Sequence, residues 1–167
     1  MTILGQFRDL NDPDRFVWVR GFPDMATRPG ALEAFYTGPV WKEHGKAANA
    51  TMIDSDDVLL LRPARPEPPE DFMAPGHVVA GIHHFDQRVE DGFVERFQRE
   101  LAPELTTAGA SILGSYVTEQ SENNFPALPV REGENVFVWF ARFPERLAGE
   151  LPLDGNFELL ELAPAFR

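Results

Sequence analysis

The chain has 167 residues, no cysteine and a formal net charge of −12, with 27 acidic against 15 basic side chains. Disulfides, thiolate metal sites and cysteine nucleophiles are therefore excluded, and the acidic surplus argues against a nucleic-acid partner. No apolar run approaches the ~18 residues of a membrane span, and MTILGQFRDL lacks the basic head and apolar stretch of a signal peptide, so a cytoplasmic location is expected.

Residues 2–8, TILGQFR, are predicted as a strand, followed by a turn over LNDPDR, where Asp and Pro supply the bend. Phe16 to Phe22 is predicted as the second strand of a hairpin. Alternation puts Phe16, Trp18, Arg20 and Phe22 on one face and Val17, Val19 and Gly21 on the other. Both faces are largely apolar, so cover on both sides is expected. A helical stretch over 24–52 carries Leu32, Phe35 and Tyr36 and breaks at Gly38-Pro39. Pro39 has no N–H to donate to a preceding carbonyl, but it suits the first turn of a new helix. In that helix Trp41, His44, Ala48 and Met52 share one stripe. DVLLLR, 57–62, is predicted as a strand. The run PARPEPPEDFMAPG, 63–76, is rich in Pro and acid, and its residues 67–76 read as a linker between two units, 1–66 and 77–167.

HVVAGIHHF, 77–85, opens the second unit as a strand. Residues 89–108 are predicted as a helix, with Val89, Phe93, Phe97, Leu101 and Leu105 every four residues and Pro103 placed to interrupt the last turns. SILGSYVTE, 111–119, and NVFVWFARF, 135–143, are strands on either side of a long loop. PERLAGEL, 144–151, is a short helix, and FELLELA, 157–163, is the closing strand.

Two phrases recur in order. ILG stands at 3–5 and again at 112–114, and FVWVRGFPD, 16–24, returns as FVWFARFPE, 137–145. A spacing above 100 residues is too long for a solenoid and indicates a duplicated unit. The second unit reads β-α-β-β-α-β, the order of a ferredoxin-like split βαβ sandwich. ILG falls in its second strand and FVW in its third. The first unit then reads β-β-α-β and lacks an opening strand and helix. Its vacant strand position lies between the third and fourth strands, where unpaired backbone groups would be exposed.

The strings LGQFRDLNDPDRFVWVRGFPDM, ALEAFYTGPVWKEHGKAANATM, DSDDVLLLRP and NNFPALPVREGENVFVWFARF resemble NIPSNAP proteins of the bacterial kind and cover more than half the chain. The resemblance implies an α+β fold: tandem ferredoxin-like units with antiparallel sheets packed as a dimeric α+β barrel, here with the first unit incomplete. It also implies a homodimer or higher homo-oligomer. The family has no settled chemistry, and the wider superfamily spans cofactor-free monooxygenases, haem-binding enzymes and small-molecule degraders, so fold alone does not assign an activity.

Trp18, Arg20, Tyr36, Trp41, His44 and Asn49 are the candidate ligand-binding residues. His44, on a stripe with Trp41 and one turn from Asn49, is the candidate base; a surface or packing position on an amphipathic helix is its structural alternative. Arg20, replaced by Ala141 in the second copy, would hold a substrate carboxylate, or stack on Trp18 or pair with an acid as part of the core. His77 and His83 share a strand face but lie roughly 20 Å apart at ~3.3 Å per residue, too far to share an ion; no metal or other cofactor is expected. Asp56-Asp57 and Glu90-Asp91 sit at element starts, where capping accounts for them. No GxSxG, P-loop or GxGxxG occurs. The expected function is a homo-oligomeric binding or assembly protein with a small apolar ligand. The alternative is a cofactor-independent monooxygenase acting on an aromatic or polyketide-like substrate.

Overall fold

A computed structural model of the chain describes residues 1–65, 71–146, 151 and 155–165. Its strands are β1 (Thr2–Asp9), β2 (Phe16–Gly21), β3 (Leu61–Pro63), β4 (His77–His84), β5 (Ser111–Thr118), β6 (Val136–Phe143) and β7 (Phe157–Pro164). All seven belong to one sheet, ordered β2-β1-β7-β4-β6-β5-β3, and every neighbouring pair is antiparallel. The fold is α+β. α1 (Arg28–Tyr36) and α2 (Pro39–Asn49) follow β2, each with proline in its first turn. Between β4 and β5 run α3 (Asp91–Arg96), a π-helical turn (Phe97–Leu101) and α4 (Ala102–Thr107). No described helix is long and apolar enough to cross a membrane.

β6 is buried on both faces, and its alternation feeds two cores. Phe137, Trp139, Ala141 and Phe143 pack with Val94, Phe97 and Leu105 under the helices. Val136, Val138 and Phe140 pack with Phe7, Phe72, Leu113, Leu160 and Leu162 on the opposite face. Val17 and Val19 of β2, at one end of the strand order, rest on this second cluster. So do Leu59 and Leu61, in and beside β3 at the other end. Side chains from opposite ends meet one core only if the sheet curls around it.

The pairings on the two sides of the sheet correspond residue by residue. In β1·β2 the partners are Ile3 with Arg20, Gly5 with Val19 and Phe7 with Val17, with a register shift between Ile3 and Gly5. In β5·β6 they are Ile112 with Ala141, Gly114 with Phe140 and Tyr116 with Val138, with the shift between Ile112 and Gly114. Each repeated ILG is therefore a bulge with Leu as the extra residue. The following glycine is required by close approach: a Cβ on Gly5 would run into Phe7, and one on Gly114 into Tyr116. The outer pairings correspond as well. Phe7 faces Pro164 and Asp9 faces Leu162, while Tyr116 faces Pro63 and Thr118 faces Leu61. Leu10 N–H donates to Glu161 O at 2.7 Å, and Glu119 N–H donates to Leu60 O at 2.8 Å.

Several expectations are corrected. The strands of 1–66 and 77–167 do not make separate sheets: β1 adds to β7 and β3 adds to β5. β2 is packed on both faces, Val17 and Val19 on the inner core and Trp18 against Phe35 of α1, but its outer edge is open among the described residues. It is an edge strand paired only with β1, and Phe16 is 51 % exposed where its repeat counterpart Phe137 is 0 %. The strand expected at 57–62 shrinks to Leu61–Pro63. Before it, Asp54 Oδ1 accepts from Asp56 N–H at 2.7 Å, and Val58 O accepts from Arg131 N–H at 2.9 Å, so the backbone is tied to a turn and a loop. The helix expected over 89–108 starts at Asp91 and passes through the π turn just before Pro103, which lacks the N–H that a regular ladder would use. Residues 147–150 of the helix expected at 144–151 and residues 67–70 of the linker 67–76 lie outside the described residues.

Candidate ligand site on the outer face of β2

Trp18 and Arg20 project from the same face of β2, and α1 lies against that face. Arg20 Cζ lies 4.6 Å from the Trp18 ring centroid, a cation–π contact. Its Nη1 donates to the Tyr36 hydroxyl at 3.3 Å. Trp18 meets Phe35 edge-on at 5.7 Å, and Tyr36 meets Trp41 edge-on at 5.0 Å. Phe125, from the β5–β6 loop, stacks on Tyr36 at 6.2 Å with the planes 13° apart. The structure thus brings together Trp18, Arg20, Tyr36 and Trp41, four of the six candidates.

A second guanidinium lies beneath them. Arg28, at the start of α1, is 2 % exposed. Its Nη1 donates to Asn123 Oδ1 and Asn124 Oδ1, both at 3.0 Å. The two amides are held by the backbone: Asn123 Nδ2 donates to Leu128 O at 2.9 Å and Asn124 Nδ2 to Met25 O at 2.6 Å. Burial, and after it the positive charge of Arg20, lower the Arg28 pKa from its ordinary value. Among the described residues neither Arg20 nor Arg28 has a carboxylate within 4 Å, although the chain carries 27 acidic side chains. Two guanidinium groups framed by aromatic rings and lacking a counter-charge suit a small anion with a flat body.

His44 and Asn49 are not part of this arrangement. The His44 side chain is 67 % exposed and reaches only Glu43, at 3.8 Å, while Asn49 is exposed on the same helix. Trp41 alone of that stripe turns toward Tyr36 and Phe35. Sequence reasoning missed Arg28, Asn123, Asn124 and Phe125. Their signal was the pair Asn123-Asn124 before an aromatic in a long polar loop, which periodicity cannot place against a helix 95 residues away.

Among the other histidines, His83 is 5 % exposed and its Nε2 accepts a hydrogen bond from Trp139 Nε1 at 3.2 Å. His84 sits between Glu134, at 3.5 Å, and Glu158, at 3.4 Å. Among the described residues no cluster of three side chains is arranged to hold a metal ion. An open cleft of about 500 Å³ lies at the start of α3, lined by Phe85, Arg88, Glu90, Phe93 and Arg96, away from Arg20.

The geometry defines a curled antiparallel α+β sheet with an aromatic, cationic patch on one edge strand. No protein-family model, no curated protein and no solved structure matches the chain.

Proposed function

We propose that the chain is a binding and assembly protein, NIPSNAP-like in its strings, built from two ferredoxin-like units in tandem and forming a homo-oligomer. The repeated registers and bulges of β1·β2 and β5·β6 support the tandem reading. At Trp18, Arg20, Tyr36 and Trp41 it holds a small ligand with an apolar, flat body and a carboxylate. One observation carries the ligand class: Arg20 stacks on Trp18 and bonds Tyr36, near a buried Arg28 whose hydrogen bonds among the described residues go to neutral amides. A carboxylate there gains a charge-assisted bond, and its ring gains aromatic contact. The monooxygenase alternative draws no support from the exposed His44.

Benzoate and the neutral benzyl alcohol are suitable probes, followed by tryptophan fluorescence. Benzoate is expected to saturate the signal. The Arg20→Gln variant should bind it about tenfold more weakly, the loss of one charge-assisted hydrogen bond. Equal responses to the two probes, or unchanged benzoate affinity in the variant, would overturn the reading.

A further inference from the structure

Trp18 and Trp139 occupy equivalent places in the two copies, yet only one indole is satisfied. Trp139 Nε1–H donates to His83 on the neighbouring strand β4. Gly81, directly opposite Trp139, leaves room for the ring, because a Cβ there would run into the indole. β4 thus serves Trp139 in two ways: a small residue at the paired position and an acceptor two residues further on. It also lies between β6 and β7 and pairs with both. Trp18 has no such neighbour. Among the described residues its Nε1 is buried without a hydrogen-bond partner, and the edge of β2 beyond it is unpaired.

The counterpart of β6 is β2, and the counterpart of β7 is β3, as the matching bulges and the pairings to Pro164 and Pro63 show. These two strands are the free ends of the sheet. Both ends contribute side chains to one inner core. The β5–β6 loop also links them. Arg131 N–H donates to Val58 O beside β3, and Asn124 Nδ2 donates to Met25 O just after β2. The position that would correspond to β4 therefore falls between β2 and β3, with backbone donors and acceptors on both sides.

We infer that the gap between β2 and β3 is a docking groove for an extended peptide strand, antiparallel to β2, with a small residue opposite Trp18 and a hydrogen-bond acceptor such as histidine opposite Phe16. The main chain supplies pairing by strand addition, and the small-x-acceptor pattern supplies register. This chemistry also explains Phe16. In the complete copy Phe137 faces His83 across the strand pair and its ring lies 6.2 Å from the imidazole, whereas among the described residues Phe16 is paired only with Arg8 of β1 and stands half exposed.

The test uses the full chain and a synthetic peptide with the sequence of residues 77–85, HVVAGIHHF, carrying terminal lysines for solubility. Binding is measured by titration, and protection of β2 by hydrogen exchange. The peptide is expected to bind saturably, raise the melting temperature and protect β2 amides. A peptide with Gly81→Val should bind at least tenfold more weakly, because the added side chain meets the indole. A peptide with His83→Leu should bind about fivefold more weakly, the equivalent of one buried hydrogen bond. In the Trp18→Phe protein the His83→Leu penalty should disappear while the parent peptide still binds. Failure of the parent peptide to protect β2, or equal binding of all three peptides, would overturn the inference. Protection of β2 in the peptide-free protein would assign the gap to a second copy and overturn it too.

Discussion

At the scale of single residues, the chemistry is decided by neighbours that periodicity does not report. Trp18 and Arg20 were legible because strand alternation places them on one face. Arg28 was not, because its burial depends on two asparagines from a distant loop. His44 looked like a base on its helical stripe, but a stripe identifies a face without saying what covers it. His83 carries a testable consequence. Accepting from Trp139 leaves its Nε2 unprotonated, and burial first, then His84 and Arg96, hold its pKa below the ordinary 6.5. The unfolded chain therefore binds this proton more readily than the folded one. The stability due to neutral His83 is complete above pH 6.5 and is lost as pH falls toward the folded value. The His83→Gln variant keeps an acceptor for Trp139 but does not titrate. Urea midpoints between pH 7.5 and 5.5 should fall more steeply in the wild type than in His83→Gln. Parallel slopes would show that His83 is not the group responsible.

At the scale of elements, six of the seven strands stood where alternation and turn chemistry put them, and β3 shows why the seventh shrank. Strand propensity in DVLLLR competes with Asp54, whose side chain accepts from Asp56 N–H, and with the Arg131 N–H bond to Val58 O, and pairing begins only at Leu61. The two ILG bulges were visible as a repeat but not as bulges, since an extra residue is defined only by its partner strand. They allow a comparison within one molecule. Leu113 is 1 % exposed inside the core formed by β4, β6 and β7, whereas Leu4 is only partly buried at the incomplete end. Leu113→Ala should cost about 3 kcal/mol, within the range for a filled core site. Leu4→Ala should cost about 1 kcal/mol, because less apolar surface leaves water there. Urea denaturation of both variants decides the matter; equal losses would mean that the two bulges are equally supported and that the end at β2 is complete as it stands.

At the scale of the whole molecule, the recurrence of ILG and FVW was legible, but the joining of both parts of the chain into one sheet was not, because β1–β7 and β5–β3 pairing joins segments that no local pattern connects. Joining them leaves the core unevenly distributed. Among the described residues, Phe7 and Leu32 are the only fully buried apolar side chains before residue 66, and the rest lie between Phe72 and Leu162. Of the seven large apolar residues left exposed among the described residues, six, Ile3, Leu10, Phe16, Val40, Met52 and Ile53, precede residue 54, and Met73 is the seventh. A net charge of −12 keeps such a surface from associating indiscriminately, yet unburied apolar area on one side favours a specific partner surface. With a chain mass of 18.8 kDa, light scattering is expected to give at least twice that value at physiological salt. Val40→Glu together with Ile53→Glu, at two exposed positions, should reduce the mass toward one chain without unfolding the core, which is built from other residues. A wild-type mass of one chain would remove the homo-oligomer from the proposal. It would leave the ligand reading at Arg20 and the eighth-strand reading at Trp18 intact, since each has its own measurement.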